Sequence, residues 1–133
     1  MASKASAIAE KMRKPEEIRA LLQTLESDQR IQKSCDRSTT ELDSNILILK
    51  SVLQTIDTQS KQGATNEEAI LEGARKVIDI TLQLRKETLA FPQIGQDTYR
   101  ALPAAEQVAR QLLVARSRTL LWVMGQESGK DEI

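Results

Sequence analysis

From Ile18 onward the apolar residues of this chain recur at alternating steps of three and four: Ile18, Leu21, Leu25, then Cys35, Leu42, Ile46, Leu49, Leu53 and Ile56. A seven-residue repeat of this kind lays apolar side chains along one stripe of a helix, as in a coiled coil. Asp28, Gln32 and Thr39 fall where the repeat asks for apolar residues. Polar residues on such a seam set register or oligomeric state at a cost in stability, or mark where the seam turns to face water. Two readings compete for this region. One is a single helix from Pro15 to Lys61, ~70 Å long at 1.5 Å per residue. The other is a pair of helices broken near Asp36 to Thr40, where Ser38 and Glu41 have the spacing of a capping box. The absence of Gly and Pro there favours a long helix or a lightly kinked pair over a full turn.

The remaining boundaries are better marked. Ala2 to Lys14 is rich in helix-favouring Ala and Lys but offers little to bury beyond Ile8 and Met12, and is expected to fray. Pro15, followed by Glu16 and Glu17, suits the first turn of a helix, where proline costs no hydrogen bond and acids face the positive end of the dipole. Gly63 can take the left-handed conformation that ends a helix. Thr65 and Glu68 then form a second capping-box pair, opening a helix that runs to about Ala90. Its apolar face is broad: Ile70, Ala74, Val77, Thr81 and Leu84, widened by Leu71, Ile78, Leu82 and Leu89. Such a stripe predicts packing against two neighbours. Gly73 lies within it, either as a point of close helix approach or as a tolerated glycine. Pro92, Gly95 and Pro103 make the stretch from Phe91 to Pro103 a non-helical connection, whose apolar residues can fold back on the bundle end. A last helix begins near Pro103, carries Val108, Leu112, Leu113, Ala115, Leu120 and Val123, and is stopped by Gly125.

Together these elements predict an all-α fold, an antiparallel helical bundle of about four helices with a long heptad-patterned helix or helix pair. The expected organisation is a basic, partly ordered segment over residues 1–14, a bundle over 15–125 and a disordered tail over 126–133. Composition agrees with helices. Aromatic residues are only Phe91, Tyr99 and Trp122, so Leu, Ile, Val and Ala must fill the core. Nineteen basic residues balance nineteen acidic ones. That neutrality speaks against a dedicated nucleic-acid binder, which gains affinity by neutralising phosphates. No stretch approaches the roughly 18 apolar residues of a membrane span. The N-terminus lacks a secretory apolar core, and an intracellular location, cytoplasmic or nuclear, is expected.

The absent residues matter as much. With no histidine, the chain lacks the commonest general acid–base and metal ligand. Cys35 is the single cysteine, which rules out an internal disulfide or a cysteine zinc site and suggests a small buried apolar residue. No phosphate-cradling glycine motif occurs. The acid pairs Glu16/Glu17 and Glu67/Glu68 sit at helix starts, where dipole compensation accounts for them. No enzyme activity and no cofactor or metal is expected.

Binding is the remaining class. Residues 120–124, Leu-Leu-Trp-Val-Met, cannot all face one core, because a helix turns about 100° per residue. Trp122, with Leu121 and Met124, is therefore a candidate anchor for a partner; capping the bundle end under the Phe91–Leu102 loop explains the run equally well. Charge is unevenly spread. Lys4, Lys11, Arg13 and Lys14 against Glu10 give residues 1–14 a net +3, and Arg100, Arg110, Arg116 and Arg118 against Asp97 and Glu106 give the last helix +2. Arg110, Arg116 and Arg118 are candidates for an acidic partner, or else pair within the chain. Asp28 and Gln32 are candidates as polar seam positions.

The succession from Ile18 through Leu53 to Ala74-Arg75-Lys76-Val77 and Ile80, three helices with a Gly-containing second link, resembles BAG domains. That resemblance covers residues 15–90, leaves the last helix unaccounted for, and implies binding to the ATPase lobe of heat-shock chaperones. The leading expectation is a structural or adaptor subunit that assembles with itself or another protein through coiled-coil-like apolar seams. A regulatory or co-chaperone-like binding domain is the alternative, and nucleic-acid or anionic-membrane association through the basic N-terminus and last helix a lesser one.

Overall fold

A computed structural model describes residues 4–126 as six helices. They are α1 (Lys4–Lys11), α2 (Pro15–Ser34), α3 (Thr40–Lys61), α4 (Asn66–Leu89), α5 (Gln96–Arg100) and α6 (Ala104–Val123). No strand occurs among the described residues, and no helix among them is long and apolar enough to cross a membrane. Apart from Gln126, the expected tail lies outside the described residues.

The region from Pro15 to Lys61 makes a full turn, contrary to the long helix that its pattern favoured. Asp36 adopts a left-handed φ of 56° just past the end of α2. The N–H of Asp36 donates to Lys33 O at 3.2 Å and that of Arg37 to Gln32 O at 2.8 Å. The same pair of bonds closes α3 at Gly63 (φ 91°) and α6 at Gly125 (φ 89°). Asp36 thus performs a task that glycine performs twice elsewhere, since Asp tolerates the left-handed region better than most side chains. Once reversed, α2 runs back along α3. Arg19 meets Asp57 at 2.7 Å, Glu26 meets Lys50 at 3.7 Å, and Gln29 bonds Asp43 near the turn. The Ser38–Glu41 box does not form, because α3 begins at Thr40 with Ser38 bonded to the Thr40 hydroxyl. The Thr65–Glu68 pair does form: the Glu68 N–H donates to the Thr65 hydroxyl at 3.2 Å.

The core is built on α3 and α4. Helix α2 packs on α3, α1 on α4, and α6 lies against both α3 and α4. Leu49, Val52, Val77, Ala69, Ala74, Ile18 and Val123 are fully buried. Burying a side chain of this size contributes ~1.5–3 kcal/mol. Helix α4 therefore meets three neighbours where its stripe predicted two, although Leu82 and Leu89 at the edge of that stripe remain exposed. Gly73 is a point of close approach. A Cβ there would stand 2.7 Å from Ile56 Cγ1 and 2.9 Å from Ile56 Cδ1. The connection expected to be non-helical holds the short helix α5, tied down by Gln107, whose amide donates to the carbonyls of Tyr99 and Leu102 at 3.1 Å each. Cys35, expected inside, is exposed at the end of α2, because the turn carries it off the seam.

Candidate functional site

The run over residues 120–124 divides as helix geometry requires. Leu120 and Val123 enter the core, whereas Leu121, Trp122 and Met124 are half-buried. Trp122 meets the corner between α1 and α2. The Arg13 guanidinium stacks 4.8 Å from the Trp122 ring centroid, and its Nε donates to Trp122 O at 3.0 Å. The Arg13 backbone N–H donates to Val123 O at 2.8 Å. At Gly125 the chain passes so close to the Lys11 carbonyl that a Cβ would overlap it. Met124 packs against the core cluster, and Leu121 borders a cleft shared with Phe91.

The arginines of α6 face partners within the chain. Arg110 stacks on Phe91 at 5.2 Å, donates to Pro92 O at 3.0 Å and lies 3.7 Å from Glu106. Arg116 reaches the Ser44 hydroxyl and stands 3.6 Å from Glu87. Arg118 borders two clefts of α6, one of them, of about 510 Å³, lined also by Glu41, Asn45, Tyr99 and Arg110. Two of its lining residues, Asn45 and Arg110, each hold a buried atom, Oδ1 and Nε, without a hydrogen-bond partner among the described residues. Asp28 is exposed on α2, and Gln32 borders a separate cleft with Leu42, Val108 and Leu112. The eight candidate residues therefore do not converge. Trp122 and Met124 lie near the α1–α2 corner, the arginines along α6, and Asp28 and Gln32 on α2.

A further surface able to receive a partner is one the pattern of seams passed over. Between α3 and α4 runs a groove of about 390 Å³ with Leu47, Ile48, Ile80 and Leu84 in its lining. Arg116 closes one end, between Ser44 and Glu87. Toward the other end it joins, through Ser51 and Lys76, a cleft of about 300 Å³ lined by Thr55 and Thr58. From Ser44 to Thr58 the combined trough is four turns of helix, ~21 Å. Leu47 stands on its lip at 66% exposure. The sequence carries a signal for it. Residues 46–49 are Ile-Leu-Ile-Leu, four consecutive apolar side chains that cannot all face one core, by the reasoning already applied to 120–124. Ile46, Ile48 and Leu49 are buried, and Leu47 is the one left outside.

The lip charges are Lys76 and Asp79, three residues apart on α4, and neither makes an ion pair within the described chain. Elsewhere the acids do local work: Glu17 accepts the Lys14 backbone N–H at 3.2 Å and Glu68 the Thr65 hydroxyl at 2.9 Å. The trough is thus apolar at one end, hydroxyl-lined at the other and electrically balanced between them. It suits an apolar side chain followed by a polar helical surface, which is the chemistry of helix-in-groove recognition. Set against models of protein families, curated proteins and solved structures, the chain matches none. The groove's own geometry therefore carries the functional reading.

Proposed function

We propose that this chain is a non-enzymatic protein–protein interaction module, a structural or adaptor subunit that assembles with itself or a partner by seating helices in the α3–α4 groove. The single observation that carries the reading is Leu47, two-thirds exposed above a floor of Ile48, Ile80 and Leu84. An exposed large apolar residue beside a preformed apolar groove marks a binding surface more strongly than scattered exposure does. The coiled-coil-like seam contributes differently from first expectation. Leu49, Leu53 and Ile56 belong to the main core and Ile46 is buried apart from it, so the seam serves packing within the chain and leaves the groove for recognition.

The test replaces Leu47 with a photo-crosslinking amino acid in cells that make the protein. Irradiation is expected to join position 47 to one discrete protein, and Ile80→Lys on the groove floor to abolish that product. Absence of any product, or one indifferent to Ile80→Lys, would remove the reading. A second reading, a regulatory or co-chaperone-like monomer, draws support from α2, α3 and α4 forming three successive helices over the span that resembles BAG domains. It predicts binding to a purified heat-shock-chaperone ATPase lobe, measurable by calorimetry, and fails if no heat is evolved.

A further inference from the structure

We infer that the occupant of the α3–α4 groove is a second copy of this chain, packed about a two-fold axis parallel to the groove; this rests on the proposed reading of the same groove. In that arrangement α3 of each copy lies over α4 of the other, at matching levels along the helices. The groove provides both halves of the contact on one face, as an isologous interface requires. Leu47, the projecting residue, belongs to α3, and the hollow beside it is formed with Ile80 and Leu84 of α4. Each Leu47 then enters the other copy's hollow, and the contact is made twice.

The polar half of the trough matches itself in the same register. Gly73 opposite Ile56 and Glu87 near Ser44, bridged by Arg116, fix the levels of the antiparallel α3 and α4. At those levels Lys76 and Asp79 of α4 lie beside the hydroxyl-bearing stretch of α3 that holds Ser51 and Thr55. After the two-fold rotation the two charges of one copy, unpaired among the described residues, meet the hydroxyls of the other, and the Arg116 that comes toward its counterpart at the groove's end is already paired with Glu87. Nor does any long-range repulsion oppose association, because the whole chain carries zero formal net charge.

The face also bounds the size of the contact. Two helices ~10 Å wide and ~21 Å long present ~400 Å² in projection. With the relief of side chains, the pair buries about 800–1,200 Å² in total, at the low end of specific interfaces. An interface of this size belongs with transient, reversible contacts, and a Kd on the order of 10 µM would carry the protein from mostly dimer at about 100 µM to mostly monomer at about 1 µM.

Sedimentation and light scattering on the full chain over that hundredfold range provide the first test. The average mass is expected to fall from near twice the monomer value toward the monomer. Leu47→Lys should remain monomeric throughout with unchanged helicity. For geometry, two proteins are made in a Cys35→Ser background, one with Leu47→Cys and one with Ile80→Cys. Mixed under oxidising conditions, they should form the 47–80 cross-link at least tenfold faster than either forms its symmetric one. Monomeric wild-type protein across the whole range, association untouched by Leu47→Lys, or symmetric cross-links that outpace the mixed one each overturn the inference. If the protein is monomeric yet photo-crosslinking at position 47 captures a different protein, self-pairing falls and the interaction reading stands. If neither occurs, both fall.

Discussion

Replacing Gly73 by alanine tests the packing that holds α3 against α4. The new methyl would sit 2.7 Å from Ile56 Cγ1, 2.9 Å from Cδ1 and 3.5 Å from Met12 Cε, so Ile56 must yield by most of an ångström. Ile56 is itself 3% exposed and has little room in which to do so. Overpacking of this kind costs ~1–3 kcal/mol. Against it stands the gain in helix propensity from Gly to Ala, ~1 kcal/mol in a helix interior. The net expectation is destabilisation by about 1 kcal/mol. The decisive experiment is a double-mutant cycle by urea unfolding, followed by circular dichroism. Ile56→Ala alone should cost ~2–5 kcal/mol by opening a cavity. In that background the obstacle to Gly73→Ala is gone, and the same substitution should become neutral or stabilising by up to ~1 kcal/mol. A cycle that closes additively within ~0.5 kcal/mol would refute the claim that Gly73 exists to admit Ile56.

Four further outcomes are expected. Asp36→Gly should stabilise the protein by about 0.5–1 kcal/mol in the same unfolding assay, by relieving the left-handed strain at the α2–α3 turn. Gly125→Ala should cost clearly more than Gly63→Ala: both glycines have φ near 90°, but only Gly125 also faces the Lys11 carbonyl, so the difference in midpoint isolates the steric part. Arg13→Ala should cost ~1–2 kcal/mol and shift the emission of the only tryptophan, since it removes both the stacking on Trp122 and a hydrogen bond to its carbonyl. Cys35 should react with a thiol reagent in the native state at nearly the rate seen in denaturant, and protection of more than tenfold would contradict its exposure.

Helix type and most boundaries were legible because they rest on local chemistry. Pro15 with its two acids, Gly63, the Thr65–Glu68 pair and Gly125 each do in the structure what such residues do in isolation. The α2–α3 turn was legible only as the lesser of two readings, because Asp36 and Ser38 favour a turn but no Gly or Pro marks the site and the seven-residue spacing continues across it. Cys35 was misplaced for the same reason, being assigned to a seam that had already ended. The fate of Trp122 depended on Arg13, 109 positions away, and no periodicity links the two. The groove was within reach. The Ile-Leu-Ile-Leu run over residues 46–49 carries the same excess of apolar surface as the run over 120–124, but the seven-residue seam accounts for only Ile46 and Leu49 of it.

The contact between Arg13 and the end of α6 also orders events in time. The α2–α3 and α3–α4 hairpins join residues close in sequence and can form while the chain is still emerging from the ribosome. The corner between α1 and α2 cannot be secured until Trp122, Val123 and Gly125 have been made. Helix α1 can dock on α4 earlier, but the corner that follows it is fastened only when α6 arrives, and docking of α6 is the step that completes the molecule. Because the tryptophan belongs to that final contact, its fluorescence should trail the recovery of helix during refolding, separating formation of the hairpins from closure of the whole.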